Sequence, residues 1–446
     1  MPIGCKIPPD RIVTGFRIRL IPTKKQRKLF EEYFSLHRYC YNVAMSLQLD
    51  RKINYDNGVS ATRFLSRLEL SDHLTKMRHS SDTAWLANYD CTAEREAMFL
   101  TTDIIKQTFN EGRDFPYNFM RKKSNGYKSF CTRPDRMKLF RRAVQLTGIG
   151  IVRTEKHPYY NANIVIKDTH VVCDLGEYWV TGGYLVNKPT CNRYHKHGPI
   201  GIDFGIKHDN WFVDSNYNEI HRPNTRRIDK RIERLNRELG RKQRTNNRRL
   251  FPDESQAGGN VLDSLTSSRE PTKRETKLRQ RISKLTRHRI NVSKDVMFKY
   301  VSDLMKYDPS AIVIEDLSAM EMIGYNQIHS DCVSERKHIH NSIVSSMPYT
   351  FKQHLSHQAK KHGIPLIKAD SEYPSTQLCS CCGNRLTGDD RLKLADREYI
   401  CPACGMTIDR DLNSSFNLKY LGWSFLNSPE FPDSHSEFVN SYSVVQ

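Results

Sequence analysis

Residues 199–207 read Pro-Ile-Gly-Ile-Asp-Phe-Gly-Ile-Lys, an apolar stretch that carries a single carboxylate, Asp203. The isoleucine-rich composition predicts a strand that presents Asp203 beside a glycine. Because glycine has no Cβ atom, a ligand or another stretch of backbone can approach closely at this point. Asp203 is therefore a candidate functional residue held by regular structure.

Two further segments place a carboxylate next to an apolar run. Residues 311–317 read Ala-Ile-Val-Ile-Glu-Asp-Leu, which predicts a buried strand that ends at Glu315. Residues 408–413 read Ile-Asp-Arg-Asp-Leu-Asn and predict the start of a helix. Taken singly, such acids usually cap helices or end strands. Together, three carboxylates on converging elements could hold two Mg²⁺ ions about 3.5 to 4 Å apart, the arrangement that promotes phosphodiester hydrolysis.

Four cysteines near the carboxyl end, Cys379, Cys382, Cys401 and Cys404, follow the spacing C-x2-C-x18-C-x2-C. This spacing is typical of zinc ribbons, and a glycine follows each pair. Four thiolates enclose a tetrahedral Zn²⁺ without an open position, so we expect a structural site. The alternative is a chance group of buried thiols. Cys381 could also compete as a ligand, but only the choice of Cys379 and Cys382 makes the two turns match.

The composition points to a basic globular protein. The 446 residues include 70 Lys and Arg against 50 Asp and Glu, which gives a net charge of +20. The length suggests roughly two to four domains. No apolar run approaches the roughly 20 residues of a membrane-spanning helix, and the first residues lack a secretory signal. We therefore expect an intracellular protein whose cysteines are free thiols or metal ligands. Because the protein is strongly basic, we expect a polyanion as its partner, and nucleic acid is the commonest one.

The positive charge is concentrated in residues 222–289, which contain 21 Lys and Arg against 8 Asp and Glu. Apolar residues at helical spacing predict two amphipathic helices, separated by a long polar loop at residues 251–271. One interpretation is a solvated hairpin whose charge maintains solubility. Uncompensated arginine favours phosphate contact. The candidate contacts on the two helices are Arg226, Arg227, Lys230, Arg234, Arg237, Arg241, Arg274, Lys277, Arg281 and Lys284.

The amino-terminal half carries weaker signals. Residues 16–20 alternate as a strand, and Thr23 with Gln26 forms a capping box that begins a helix. The following residues to about 140 are predicted to be mainly helical. Within them, the basic and aromatic residues of 115–123 could stack on bases and contact phosphates, or could equally be core and loop residues. The β-branched runs of residues 148–186 predict the strands of a small barrel.

The motifs of residues 201–207, 312–317, 373–383 and 401–415, taken in this order, resemble the TnpB proteins of insertion sequences. Those proteins are related to eukaryotic Fanzor and to compact type V CRISPR effectors. The matching segments span about half of the chain. Two departures are the long loop at 251–271 and a Ser-Ser pair, Ser414 and Ser415, where Ala-Ala is usual. Neither departure removes a ligand.

The resemblance implies an α/β fold: an RNase H-like RuvC nuclease domain with an inserted zinc ribbon, preceded by a β-barrel (wedge) domain that a helical recognition insert interrupts. It assigns the catalytic, Mg²⁺-binding role to Asp203, Glu315 and Asp411. Asp411 is preferred over Asp409 because the family acid lies two residues before an asparagine, here Asn413. Asp409 is better placed as a helix cap.

The implied domain boundaries follow the chain from the amino terminus. They are residues 1–46 for the first part of the wedge barrel, 47–140 for the recognition insert, 141–196 for the second part of the barrel, 197–373 for the RuvC domain with a basic helical hairpin at 222–298, 374–405 for the zinc ribbon, 406–426 for the end of RuvC, and 427–446 for a disordered tail.

The function that the resemblance implies is RNA-guided, transposon-associated cleavage of DNA. Two catalytic Mg²⁺ ions and one structural Zn²⁺ would be the cofactors, and guide RNA and target DNA the partners, with no membrane. The resemblance leaves the oligomeric state open. The expected location is the cytoplasm or nucleoid, or the nucleus in a eukaryotic host.

Two other functions fit the same residues. A related RNA-guided protein could occupy DNA without cutting it, although such a protein would be expected to lose one or more of the three acids. A DDE-type transposase also uses three acids on an RNase H-like fold. The order of the acids, with glutamate in the middle and a zinc ribbon directly before the third, favours the nuclease.

Overall fold

The chain forms two compact units, residues 1–187 and 188–446. The computed structural model describes residues 7–8, 10–110, 112, 115, 119–120, 126–161, 166–187, 195–205, 210–250, 270–316, 347–370, 373–393 and 396–427. Most of the predicted loop 251–271, of the predicted tail 427–446 and of the basic-aromatic stretch 115–123 lies outside these ranges. No helix in the described ranges has both the length and the apolar composition needed to cross a membrane.

The first unit contains a seven-stranded antiparallel sheet in the order β2-β6-β7-β1-β5-β4-β3. Its strands are β1 (Arg11–Ile21), β2 (Lys128–Thr132), β3 (Lys138–Phe140), β4 (Ala143–Leu146), β5 (Gly150–Thr154), β6 (Ile166–Asp174) and β7 (Glu177–Asn187). Within the described residues the edge strands β2 and β3 do not pair with each other, so closure into a barrel stays a prediction.

Among the described residues of this unit, three α-helices accompany the sheet: α1 (Lys24–Asp56), α2 (Arg67–His79) and α3 (Cys91–Asn110). The capping box predicted at the start of α1 is confirmed, because the Thr23 side chain accepts from the Gln26 backbone and the Gln26 side chain accepts from the Thr23 backbone. The helix buries its apolar face in the core of the unit, where Tyr33 stacks on Phe130 of β2 with 4.8 Å between ring centroids.

Some helices and strands of this unit extend across the expected segment boundaries. Helix α1 continues to Asp56, beyond the expected end of the first barrel segment at residue 46. At the other end of the expected helical insert, Lys128–Thr132 and Lys138–Phe140 are already strands of the sheet. The expectation of a mainly helical segment up to about residue 140 was wrong for these two strands. Strand β2 pairs with the distant strand β6, which chain-local patterns do not reveal, and β3 pairs with the neighbouring strand β4.

The second unit contains a five-stranded mixed sheet in the order β10-β9-β8-β11-β12. Strands β8, β11 and β12 are parallel to one another, and β9 and β10 run antiparallel at one edge. Ile202, Phe212 and Ile314 form part of its buried core. The strands are β8 (Ile200–Phe204), β9 (Asn210–Asp214), β10 (Glu219–His221), β11 (Ile312–Glu315) and β12 (Leu366–Ala369).

In the described residues of this unit, four helices and a small hairpin accompany the sheet. The helices are α4 (Arg226–Leu250), α5 (Lys273–Tyr307), α6 (Pro348–His362) and α7 (Arg410–Leu426), and the hairpin strands are β13 (Glu398–Ile400) and β14 (Thr407–Asp409). The two predicted basic helices are confirmed as α4 and α5, which pack against each other. Helix α5 continues past residue 298, the expected end of the basic hairpin, because its last turns carry buried residues of the sheet core such as Val301.

Candidate active site and cysteine cluster

Gly201 of β8 allows helix α7 to pack directly on the sheet. A Cβ atom on this residue would lie 2.1 Å from the carbonyl oxygen of Ser415 and 2.6 Å from the backbone nitrogen of Lys419. Any side chain there would therefore collide with helix backbone. Since residues two apart on a strand share a face, the side of β8 that meets α7 is also the side that presents Asp203. The close backbone approach expected from the glycine is confirmed.

The three acids nominated from sequence come together at this contact. Asp203 lies on β8 and Glu315 ends the neighbouring parallel strand β11, in a register that pairs Ile314 with Ile202 and so brings the two acids alongside each other. Asp411 lies in the first turn of α7. Asp203 is buried, with 7% of its surface exposed.

The acids influence one another electrostatically. Burial raises the pKa of Asp203 well above its usual range, and the nearby carboxylates of Glu315 and Asp411 raise it further. Burial also raises the pKa of Glu315, and the proximity of Asp411 adds to this effect. Like charges gathered in a buried position are costly unless protons or cations neutralise them. The arrangement thus suits binding of hard divalent cations, which prefer carboxylate oxygen.

Two serines hold the acids by hydrogen bonds. The Ser414 hydroxyl lies 3.3 Å from Oδ1 of Asp203 and donates to it. The Ser375 hydroxyl donates to Oε1 of Glu315. Ser414 and Ser375 are both buried, so each carboxylate has a fixed neighbour on one side. Neither serine was predicted to contact an acid, although Ser375 lies in the motif of residues 373–383 and Ser414 stands where the related proteins usually have alanine.

Cations also surround the acids. Two guanidinium groups approach Asp411, that of Arg410 at 3.4 Å from Oδ1 and that of Arg397 at 3.6 Å from Oδ2. Lys352 of α6 lowers the pKa of Glu315 by its charge and lies 3.1 Å from Oδ1 of Asp316. No periodicity or motif spacing in the sequence pointed to these cations as neighbours of the site.

Asp409 has the capping role expected of it. Its Oδ1 accepts hydrogen bonds from the backbone nitrogen atoms of Asp411 at 2.9 Å and of Leu412 at 3.0 Å. These bonds satisfy two of the free N–H groups at the start of α7. The side chain of Asp409 is therefore committed to the helix end, while that of Asp411 joins the acids.

The four cysteines predicted from spacing meet at one point. The sulfur atoms of Cys379 and Cys404 lie 3.7 Å apart, and those of Cys382 and Cys401 lie 3.6 Å apart. A tetrahedral Zn²⁺ with Zn–S bonds of about 2.3 Å requires sulfur separations of about 3.8 Å, so the site fits the ion. Cys381 is exposed and lies outside this group.

Glycines close both turns of the cysteine cluster. Gly383 and Gly405 have φ angles of +74° and +73°, which side chains other than glycine rarely adopt. Within the described ranges, the cysteines are the one group of three or more His, Cys, Asp or Glu side chains whose ligand atoms all lie within 4.8 Å of one another. The three acids do not form such a group at this distance.

The basic residues nominated on α4 and α5 all point toward solvent. Each of the ten is exposed, and none forms an ion pair within the part of the chain that the structure describes. The helices meet through buried apolar residues such as Leu235 and Leu278, and Arg289 pairs with Asp229 at 3.0 Å. The hairpin therefore offers an uncompensated positive surface on a packed support.

Two family models match parts of the chain. Residues 349–418, which include the cysteine cluster and Asp411, match the model described as "Cas12f1-like, TNB domain". Residues 12–52 match the model described as "Helix-turn-helix domain" and named for OrfB of IS605. In this structure residues 12–52 form strand β1 and most of the single long helix α1.

The curated relatives carry related names. TnpB-like protein L79 of Acanthamoeba polyphaga mimivirus is 23% identical over 447 residues, which cover 93% of this chain and 74% of the viral protein. The CRISPR-associated endodeoxyribonuclease Cas12f1 of Sulfoacidibacillus thermotolerans is 34% identical over 70 residues, 16% of each chain.

A solved structure titled as the Cas12f1-sgRNA-target DNA complex superimposes with a TM-score of 0.47 at 10% identity, covering 92% of this chain and 99% of that one. The viral relatives named TnpB-like align with most of the chain, and the two family models match parts of it. By these matches the chain is similar to TnpB-like proteins over most of its length, and its residues 349–418 are similar to a TNB domain of the Cas12f1-like type.

Proposed function

We propose that this protein is an RNA-guided DNA endonuclease that cuts with two Mg²⁺ ions held by Asp203, Glu315 and Asp411. The observation that carries the proposal is the clustering of these three carboxylates at the contact of β8, β11 and α7, with Asp203 buried and Glu315 and Asp411 half-buried beside it. The TnpB-like names of the viral relatives and the endodeoxyribonuclease name of the bacterial relative support it.

The proposed domains follow from this assignment. The five-stranded sheet with α7 is the RuvC nuclease domain, of the RNase H-like type. The seven-stranded sheet is the wedge, and helices α2 and α3 belong to the recognition insert. The cysteine cluster is a zinc ribbon whose single Zn²⁺ is structural, because all four ligand positions are taken by thiolates.

In this function the acids of the chain hold the metal ions, and the neighbouring serines orient the acids. When bound, the ions supply activation of water and stabilisation of the leaving oxygen in phosphodiester hydrolysis. Ser414 fixes Asp203 and Ser375 fixes Glu315, so two of the three ligands are held before metal arrives. The cap formed by Asp409 keeps the first turn of α7, and with it Asp411, in place.

The exposed basic surface of α4 and α5 is the proposed contact for nucleic acid. A guide RNA paired with its target strand presents two phosphate backbones, and a surface without compensating acids binds phosphates while it releases counterions. Specificity would then come from base pairing and not from protein contacts to bases. The ten lysines and arginines named above are the proposed phosphate contacts.

The experiment that tests the function compares wild type with Asp203→Ala, each purified with its own copurified RNA. We expect the wild type to cleave DNA complementary to that RNA in the presence of Mg²⁺, and Asp203→Ala to bind RNA equally well without cutting. Asp303→Ala serves as the control, because Asp303 is a surface residue paired with Lys306. Unchanged cutting by Asp203→Ala would exclude this metal site.

The same preparation discriminates the two other functions. A protein that binds DNA without cutting it would show RNA and target binding but no Mg²⁺-dependent cleavage in the wild type. A DDE-type transposase would purify without a discrete RNA and would act on transposon ends.

A further inference from the structure

Two asparagines on α7 join the acids to the cysteine cluster. Asn413 and Asn417 are one helical turn apart and therefore share a face of α7. Asn413 is fully buried and Asn417 is 4% exposed. Buried amides at helix positions carry a desolvation cost unless their polar atoms are hydrogen-bonded, so their partners reveal what they do.

The partners are all main-chain groups of residues 375–380. Oδ1 of Asn413 accepts from the backbone nitrogen of Ser380 at 3.0 Å, and Nδ2 of Asn413 donates to the carbonyl of Leu378 at 2.7 Å. Nδ2 of Asn417 donates to the carbonyls of Ser375 at 2.7 Å and of Leu378 at 2.8 Å. In addition, the hydroxyl of Tyr373 donates to the carbonyl of Asn417 at 3.1 Å.

Residues 375–380, which these hydrogen bonds clamp to α7, include a residue of interest near each end. At its start, Ser375 donates to Glu315. Near its end, Cys379 belongs to the cysteine cluster. On the other side of the clamp, α7 carries Asp411, two residues before Asn413, and Ser414, which donates to Asp203. A single set of amide hydrogen bonds therefore connects the cysteine cluster with all three acids.

We propose that Asn413 and Asn417 are positioning residues that couple zinc binding at the four cysteines to the divalent-metal affinity of the acids. The inference rests on the proposed function, because it assumes that the acids bind Mg²⁺. Bound zinc would fix the position of the turn that contains Cys379. Because the asparagines join this turn to α7 by hydrogen bonds, the start of α7 is fixed as well, and Ser375 in the same way fixes Glu315. Without zinc, residues 375–380 lose one fixed end, and the carboxylates are held less firmly.

Such a coupling is reciprocal and can be measured without any cleavage assay. If zinc raises the affinity of the acids for a divalent ion by some factor, the divalent ion raises zinc affinity by the same factor. Substitution of residues that are hydrogen-bonded to metal ligands commonly lowers metal affinity by about 10- to 100-fold. We therefore expect an effect of about 10-fold here.

The experiment titrates the full chain with Mn²⁺, a paramagnetic substitute for Mg²⁺, and measures binding by electron paramagnetic resonance. Wild type is compared before and after zinc is stripped with a strong chelator and the chelator removed. In the wild type we expect zinc removal to weaken Mn²⁺ binding about 10-fold. In Asn413→Ala/Asn417→Ala with zinc still bound, Mn²⁺ binding is expected to be weaker by a similar factor, and zinc removal to add less than about 2-fold.

Asn384→Ala is the matched control. Asn384 belongs to the same ribbon, and the contacts of Asn384 with Cys379 and Tyr399 use its main-chain carbonyl, at 2.8 Å and 3.3 Å. Its substitution by alanine should preserve both the Mn²⁺ affinity and the effect of zinc removal seen in the wild type. If the asparagines only hold α7 in place, zinc removal should weaken Mn²⁺ binding as much in the double variant as in the wild type. That result would overturn the inference.

A second measurement needs no variant. Hydrogen–deuterium exchange of wild type with and without zinc should show faster exchange in residues 375–380 and in the first turns of α7 once zinc is removed. Unchanged exchange in α7 would contradict the coupling even if the double variant failed to fold. Failure of the proposed function gives a different result: Asp203→Ala would then bind Mn²⁺ as tightly as the wild type.

Discussion

The carbonyl oxygen of Ser415 occupies the space that a side chain on Gly201 would need, 2.1 Å from the position of a Cβ atom. Strand β8 and helix α7 are thus in backbone contact, and Asp203 and Asp411 lie on the two elements that this contact joins. The geometry of the acids depends on the absence of one side chain.

Gly201→Ala should therefore damage both stability and metal binding. The added methyl group must push α7 away from β8, which we expect to cost about 1–3 kcal/mol or more in the free energy of unfolding. Urea unfolding and Mn²⁺ titration would measure the two effects. Gly15→Ala is the control, because the nearest atom to a Cβ there is 3.9 Å away. Equal tolerance of the two substitutions would contradict this packing.

Neutralising Asp203 should stabilise the protein where no divalent metal is bound. Asp203 is buried and close to two other carboxylates, so its charge opposes folding. In buffer without Mg²⁺ we expect Asp203→Asn to raise the free energy of unfolding by about 1 kcal/mol, while cleavage is lost. Addition of Mg²⁺ should stabilise the wild type but not the variant. A variant less stable than wild type without Mg²⁺ would argue against repulsion among the acids.

Substitution of single cysteines by serine should distinguish the four zinc ligands from the adjacent Cys381. We expect wild type and Cys381→Ser to retain about one zinc ion per chain, and Cys404→Ser to lose it, because three thiolates leave the tetrahedral site incomplete. Metal analysis by atomic spectroscopy gives the zinc content directly. Loss of zinc from Cys381→Ser would show that Cys381 takes part in coordination, contrary to its exposed position outside the group.

If the basic surface of α4 contacts phosphates, its substitution should change how RNA affinity depends on salt concentration. Replacing Arg234, Arg237 and Arg241 of α4 by glutamine removes three exposed charges, so RNA affinity should fall and the slope of log K against log salt should decrease by up to about 3. Fluorescence anisotropy at several salt concentrations measures both quantities. The control is Lys299→Gln/Lys306→Gln on α5, where both lysines pair with acids of the same helix. An equal change of slope in the arginine variant and in the lysine control would contradict the proposal that α4 contacts phosphates.

Glu94 should make the stability of the first unit depend on pH. This fully buried residue pairs with Arg78, yet its Oε1 has no hydrogen-bond partner among the described residues, and burial raises its pKa to about 7. Because the folded pKa exceeds the usual value of 4.5, the protonated form favours folding. This stabilisation is fully present below about pH 4.5 and is lost as the pH rises through 7.

Urea unfolding at pH 5 and pH 8 checks this dependence. The wild type should lose on the order of 1–3 kcal/mol of its unfolding free energy between these values relative to Glu94→Gln, whose amide does not titrate. The variant retains an oxygen that can accept from Arg78, so it serves as the reference for this single group. Parallel pH profiles of the two proteins would show that Glu94 does not ionise in this range.

Features that depend on residues close together in the chain were predictable from the amino-acid sequence. The capping box of Thr23 and Gln26, the cap formed by Asp409 and the amphipathic pattern of α4 and α5 are local, since helix periodicity and end capping involve residues within a few positions. The spacing of the cysteines was equally informative, because two short loops and four thiols suffice to define a zinc-ribbon pattern.

The way in which these local elements meet became visible in the three-dimensional fold alone. The membership of β2 in the first sheet, the register that places Glu315 alongside Asp203, and the closeness of Arg397 to Asp411 all join residues far apart in the chain. The same is true of the amide bonds from Asn413 to residues 378 and 380. Such contacts arise from packing and strand pairing over long separations, which leave no periodic pattern in the sequence, whereas the acids and cysteines are visible there because their chemistry requires those residue types.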